Sequence, residues 1–386
     1  MVERKYLIDV SRLIWRVWTG RLPTGIDRVC LAYLEHFGTR AQAVVHKGNF
    51  LRILSPRQTD RLTQLLLEGG AGFRAGLIRT APRILLSGRG NGDCAGKIYL
   101  NIGHTGLDDP VLMRWVRRRR VRAVYLIHDL IPVSHPEFCR EGEDERHRQR
   151  MRNVLDSAAG IIGNSHSTLG ELADFAAAEG RPMPPTVSAW ISGYPIPDVV
   201  TPVRMDRPYF VTVGTIEGRK NHILLLNLWL HLAERLGEET PRLLVIGQRG
   251  WEAEHAHALL DRSPLLRRHV REMNDCTDED MARFIVGARA LLMPSFAEGF
   301  GLPVAEALQL GAPVIASDLP VFREIAGDIP LYLDPNDGAG WERAILSFLG
   351  QSLERDRQLA AMQGFRAPGW DGHFSAVEPW LESLPR

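Results

Sequence analysis

Cysteine is scarce. The 386-residue chain has four, Cys30, Cys94, Cys139 and Cys276, with no Cys-x-x-Cys pair among them. That argues against a disulfide framework or a thiolate zinc site and suits a reducing cytoplasm. Long apolar runs are missing too: no stretch approaches the roughly 18 residues of a membrane span. The opening residues MVERKYLIDV pass from charge directly into a strand pattern, without the form of a secretory leader. Net charge is nearly absent, 47 Lys and Arg against 46 Asp and Glu, so there is no global field to hold nucleic acid. No His, Cys or carboxylate cluster has metal-ligand spacing, and no metal or cofactor is expected. What is present is an ordinary soluble composition, 45% hydrophobic and 24% charged, in a chain too long for one core, so two domains are expected.

The most informative stretch is Ala290 to Asp318. Ala290 to Met293 form a short apolar run stopped by Pro294, the pattern of a buried parallel strand. A loop follows, in which Gly299 and Gly301 flank Phe300, so backbone amides can approach a ligand closely. Pro303 then opens a helix that carries Glu306, Gly311 suits its C-terminal cap, and Pro313 to Ala316 read as the next strand. A loop at the carboxyl end of a parallel strand is where open α/β sheets bind ligands. Glu298 lies on that loop and Glu306 on the helix, seven residues between them. Spacing alone says little, since Glu306 also fits a solvated helix residue or a partner for the helix dipole.

Taken together, Pro294-Ser295-x-x-Glu298-Gly299-Phe300-Gly301-Leu302-Pro303-x-x-Glu306-Ala307 resembles the signature of the nucleotide-sugar-dependent glycosyltransferases of family 4. The resemblance is specific over about Tyr209 to Asp337 and diffuse before it. It implies the GT-B fold, two Rossmann-like domains facing across a cleft, with a C-terminal helix that returns to the first. It implies a retaining, metal-independent transfer of a hexose, mannose among the candidates, from a nucleoside-diphosphate sugar to a glycan or lipid-linked glycan of a cell-surface polysaccharide such as lipopolysaccharide. No cofactor beyond the donor is implied. A sugar-nucleotide epimerase, a phosphorylase on the same fold and a non-catalytic sugar-nucleotide-binding subunit remain alternatives.

In the first half, Tyr6 to Val10 read as a strand whose exit loop leads to Thr24-Gly25-Ile26-Asp27 and a helix. Thr24, Gly25 and Asp27 resemble the family's amino-terminal glycine loop, between donor diphosphate and acceptor; Asp27 fits a helix N-cap equally well. Gln42 to His46, Lys97 to Asn101, Ala123 to Ile127 and Gly160 to Gly163 read as further strands, and the glycine-rich Ser87 to Gly92 as a surface loop. The basic run Arg117 to Arg122 fits a solvated helix end; the functional alternative is peripheral contact with anionic headgroups at the inner face of a membrane. His128, at the carboxyl end of a strand, resembles the family's histidine near the donor sugar, with a structural bond to Asp129 as the bland reading. Ser165 reads as a cap.

Prolines between Pro182 and Pro208 suggest an interdomain linker. The expected division is 1–205 for the acceptor domain, 206–367 for the donor domain and 368–386 for the returning helix. After the strand Tyr209 to Val213, the loop Gly214-Thr215-Ile216-Glu217-Gly218-Arg219-Lys220-Asn221 joins glycines to cations at a helix start, which suits a diphosphate. The resemblance places Lys220 there; Thr215 stands where the family has an arginine, and Arg219 is its expected substitute. Arg249, after the strand Leu243 to Ile246, is a candidate nucleotide contact. Asp278-Glu279-Asp280 superficially match an Asp-x-Asp metal motif, but capping explains them better. The resemblance then implies that Glu306 holds ribose hydroxyls and Glu298 donor-sugar hydroxyls, with Ser295 and the amides of Phe300, Gly301 and Leu302 assisting sugar and phosphate.

Overall fold

A computed structural model describes residues 3–19, 25–68, 73, 75–79, 94–197 and 199–385. Thr24 and the Ser87 to Gly92 stretch lie outside these residues. The described chain groups into two compact units.

The first unit holds a sheet of seven strands: β1 (Tyr6–Asp9), β2 (Ala41–Lys47), β3 (Phe50–Ile53), β4 (Ile98–Asn101), β5 (Arg122–Ile127), β6 (Ala158–Gly163) and β7 (Thr186–Ser188). Their spatial order is β3-β2-β1-β4-β5-β6-β7, and every pair is parallel except the hairpin β2–β3. The central strands β1 and β4 are buried along their whole length, as expected when helices cover both faces.

Helix Trp370–Ser383 belongs to this unit although it ends the described chain. Its Phe374 stacks on His36 at 3.8 Å, and its His373 Nε2 lies 2.7 Å from the Tyr33 hydroxyl. Glu378 pairs with His36 and Arg40. These are the contacts of a helix that returns to the first sheet.

The second unit holds β8 (Tyr209–Val213), β9 (Arg242–Ile246), β10 (Val270–Met273), β11 (Leu291–Met293), β12 (Val314–Ser317) and β13 (Leu331–Leu333). The order is β10-β9-β8-β11-β12-β13, entirely parallel. Its core gathers Phe210, Trp229, Leu232, Trp341 and Phe348. Both indoles satisfy their N–H on backbone carbonyls, Trp229 on Pro241 and Trp341 on Asp334, so two large apolar side chains are buried without stranding a donor.

Several expectations change. The contact division falls at Ser192/Gly193 rather than at 205/206, and the second unit also takes in Ile131–Asp144. The proline-rich stretch is not linker throughout. It contains β7, an edge strand, where residues without a ladder donor are tolerated just before pairing begins. The basic run divides: helix Pro110–Arg119 ends within it, Arg120 caps that helix at φ 50°, and Arg122 opens β5 with its guanidinium on the Gly96 and Leu384 carbonyls. Asp27 is no N-cap. It is the third residue of helix Gly25–Phe37, 1% exposed and ion-paired to Arg12 and Arg16.

Candidate active site

Two loops of the second unit, each leaving the carboxyl end of a central strand, are tied together. The first follows β8 and runs from Gly214 to Asn221, where helix His222–Leu236 begins; the second follows β11 and runs from Pro294 to Gly301, where helix Leu302–Gln309 begins. The Phe296 N–H donates to the Arg219 carbonyl at 2.8 Å, and Arg219 Nη1 returns to the Ala297 carbonyl at 2.9 Å.

Four charges lie on these ties. Glu298 accepts from Lys220 Nζ at 2.5 Å, Arg219 Nη1 at 2.9 Å and the Ser295 hydroxyl at 2.8 Å. Arg219 Nη2 also pairs with Glu217 at 2.7 Å. Two carboxylates thus face two cations with almost no water, the Glu298 side chain being 5% exposed and Lys220 9%. Burial alone would raise the Glu298 pKa, but the charges of Lys220 and Arg219 and the bonds from Lys220 and Ser295 outweigh it and hold the carboxyl at about 2. Burial pushes Lys220 below the usual lysine range, and Glu298 partly offsets that push. The pair is ionised, because Lys220, Arg219 and the Ser295 hydroxyl all bond the carboxylate and offset the cost of burying its charge.

Glycines set the fine geometry. Gly214 has φ 141°, and a Cβ there would meet Lys220 Cε at 3.2 Å, so the lysine lies flat along the turn. Gly301 has φ 98° and backs onto Phe322. Both conformations need glycine. Leu302 and Pro303 then start the helix, Gly311 ends it with φ 73°, and Glu306 is carried inward, 6% exposed. The Glu306 carboxylate rests against Gly193, where any Cβ would collide with it. It is not the solvated helix residue that spacing alone would allow.

Other expected residues stand as follows. Phe300 and Ser295 are buried beside Glu298. Thr215 is half-buried, and its methyl group would be struck by a Cβ at Gly250, where the loop after β9 pairs with the loop after β8 through Ile216 and Gln248. Arg249 is clamped between Asp261 and Glu272, with four contacts of 2.6 to 2.9 Å. Asp280 donates its N–H to the Thr277 hydroxyl, which makes that acidic triplet a capped helix start. Among the described residues no group of three or more His, Cys, Asp or Glu is arranged to hold a metal ion.

Glu217, which the motif reading passes over, is a full member of the cluster. Its signal in the sequence is one acid just ahead of two bases in Glu217-Gly218-Arg219-Lys220.

In the first unit, His128 stands at the end of β5, 4% exposed. Its Nε2 lies 2.8 Å from the Ile102 carbonyl, and the Asp129 charge also acts on the ring. The carbonyl accepts, so Nε2 carries the proton. Burial lowers its pKa to about 4, and the ring is neutral at pH 7. Ser165 caps helix His166–Ala178 by accepting from the Thr168 N–H. Gly25 opens helix Gly25–Phe37.

Known proteins resemble this chain in sequence and fold. A family model described as glycosyl transferases group 1 matches residues 198–362, the span that contains both loops. The O-antigen chain mannosyltransferase B of Escherichia coli is 30% identical over 259 residues, 65% of this chain and 66% of that one. The serotype-specific mannosyltransferase WbdA of E. coli is 26% identical over 336 residues, 75% of this chain and 39% of that longer protein. The chain thus spans just under two thirds of the first relative and well under half of the second. Among solved structures, HepE of Anabaena in complex with UDP and glucose aligns with a TM-score of 0.66 at 13% identity, covering 99% of this chain and 100% of that one. Sucrose-phosphate synthase of Thermosynechococcus elongatus aligns with a TM-score of 0.62 at 16% identity, with 98% of each chain covered. At such identities the likeness concerns the fold, which is GT-B. Residues 198–362 thus match the group 1 glycosyl transferases, and the chain as a whole is similar to O-antigen mannosyltransferases.

Proposed function

We propose that the protein transfers a hexose, mannose first among the candidates, from a nucleoside-diphosphate sugar to a glycan or lipid-linked glycan during cell-surface polysaccharide synthesis. The observation that carries this reading is the buried Glu298–Lys220–Arg219 cluster at the carboxyl ends of β8 and β11. The mannosyltransferase relatives support the sugar, and the solved relative with UDP-glucose supports a nucleotide-sugar donor.

Departure of a nucleoside diphosphate builds negative charge on the phosphate and cationic character on the sugar. Lys220, and Arg219 where it turns from its carboxylates, together with loop amides at Gly301 and Leu302, are fixed positive groups that lower such a barrier without reorganising. In this reading they take the part that a divalent cation plays elsewhere. Glu306 holds the ribose hydroxyls from its place against Gly193.

Glu298 is a poor general base, because a carboxylate held at about 2 gives up little free energy on accepting a proton. Its role is to hold donor-sugar hydroxyls, and the departing phosphate oxygen takes the acceptor proton, which gives retention at the anomeric carbon. His128 supplies a neutral polar group on the first unit. The exposed Arg117, Arg118 and Arg120 are the candidates for contact with the headgroups around a lipid-linked acceptor; no helix among the described residues is long and apolar enough to cross a membrane.

The test is turnover of a panel of GDP- and UDP-sugars with and without EDTA, scored by nucleoside-diphosphate release, with the anomeric configuration of the product read by NMR. Release of nucleoside diphosphate from at least one donor, in EDTA, with an α-product from an α-donor, is expected. No release from any donor, or an inverted product, overturns the reading.

A further inference from the structure

Residues Ile131–Asp144 leave the first sheet three residues after His128, yet their contacts group them with the second unit. Tight local bonds shape them. The His135 N–H reaches the Ile131 carbonyl at 2.7 Å, the Phe138 N–H reaches that of His135 at 3.2 Å, and the Cys139 N–H reaches that of Pro136 at 3.0 Å. This compact segment lies on the loops of the ion cluster. The Phe138 ring stacks on Phe296 with centroids 5.0 Å apart and planes 11° from parallel. A Cβ on Gly218 would stand 3.4 Å from Phe138 Cδ1, so the same ring also borders the loop of Arg219 and Lys220. The Arg140 guanidinium lies over the Trp251 ring at 5.2 Å.

Phe296 sits in the middle of the bonds that orient Glu298. Its own N–H ties the two loops, the preceding Ser295 donates to Glu298, and the following Ala297 accepts from Arg219. Lys220 and Arg219 hold Glu298 directly. A diphosphate competes for those cations and loosens that hold, whereas it cannot compete for a stack of two rings.

We propose that Phe138 is a positioning residue of the donor site: by packing on Phe296 it keeps Glu298 aimed at the donor sugar once the diphosphate shares Lys220 and Arg219. The proposal rests on the reading of Glu298 as the sugar-holding group. It assigns to the first half of the chain a part in donor handling that lies outside the residues 198–362 matched by the family model.

The experiment compares the full-length wild type with Phe138→Ala, Phe138→Leu, Phe138→Tyr, Phe296→Ala and the Phe138→Ala/Phe296→Ala double variant. Probes are GDP-mannose and UDP-glucose for turnover, and GDP and UDP for calorimetric binding, with circular dichroism as the check on folding. An aromatic pair of this kind is worth roughly a 2- to 12-fold effect. Phe138→Ala is expected to lower kcat/KM for the sugar nucleotide by that factor while the nucleoside-diphosphate Kd moves less than about twofold. Phe138→Tyr restores the rate, Phe138→Leu does not, and the double variant loses no more than either single one. Should Phe138→Ala fail to fold, the contrast between Tyr and Leu carries the same information. Equal losses for sugar nucleotide and nucleoside diphosphate, a leucine as good as a tyrosine, or additive losses in the double variant each overturn the proposal. If the wild type itself neither turns over a donor nor binds GDP or UDP, the proposed function falls and this inference with it. An active wild type with an indifferent Phe138→Ala overturns this inference alone.

Discussion

The two sheets are wound alike at their centres, β2-β1-β4-β5 in one and β9-β8-β11-β12 in the other, but their carboxyl ends carry opposite chemistry. The second presents paired charges: Glu298 and Glu217 against Arg219 and Lys220. The first presents neutral rings. His128 bonds the Ile102 carbonyl and His104 that of Leu126, with their centroids 5.1 Å apart, and burial lowers the pKa of both. A buried ion cluster of the first unit, Asp27 with Arg12 and Arg16, is a brace between helices Ser11–Trp18 and Gly25–Phe37. One topology can therefore carry paired charges at one edge and neutral rings at the other, because the loops, not the strands, supply the chemistry.

Four substitutions or titrations test that contrast. The largest effect is expected from Glu298→Gln, which keeps the volume and removes the charge. Turnover should fall about 100-fold or more, in line with loss of a fixed transition-state contact, and a near-normal rate in a donor assay would remove Glu298 from the site. Lys220→Met comes next: calorimetry should show nucleoside diphosphate bound about 10- to 100-fold more weakly, as expected for a lost charged hydrogen bond, while Glu298 keeps Arg219 as partner.

In the first unit the corresponding charge change should act on stability. Asp27→Asn leaves Arg12 and Arg16 without their buried carboxylate and should cost about 3 kcal/mol in thermal or urea unfolding. An unchanged midpoint would mean that the brace is dispensable.

The smallest effect is the pH dependence. The folded pKa values of His128 and His373, lowered from 6.5 to about 4, mean that the unfolded chain takes up protons first. Their share of stability is complete above pH 6.5 and is lost as pH falls toward about 4; His222 of the second unit, lowered to about 3, extends the same limb. Glu298, lowered from 4.5 to about 2, acts lower: its contribution is present above pH 4.5 and is lost between there and about 2. Glu298→Gln should flatten only the lower part of an acid-unfolding curve, and His128→Gln only the upper.

The second half was legible because its chemistry is local. Glu298, Phe300, Gly301, Pro303 and Glu306 fall within nine residues, where strand, loop and helix follow from chain order alone, and the family match and fold bear out that resemblance. Partnerships across long separations were not. Nothing near Glu217 says that Arg219 will bridge it to a carboxylate 79 residues further on. Nor does anything around Phe138 announce Phe296, 158 residues further on. The short strands β3, β7 and β10 escaped for a different reason. Their burial is partial, so they lack the continuous apolar run that marks a central strand. Asp27 misled because an acid near a helix start suits a cap as well as it suits a salt bridge, and only packing decides between them.

The return of helix Trp370–Ser383 to the first sheet has a consequence for the order of synthesis. Tyr33, His36 and Phe37 leave the ribosome early, but Phe374, which covers them, follows more than three hundred residues later. The second unit includes no residue beyond Pro368, so the unit begun first is the last to be completed. Until then an aromatic face on helix Gly25–Phe37 stays open, and a growing chain halted before residue 370 would carry a finished second unit and an unfinished, aggregation-prone first one.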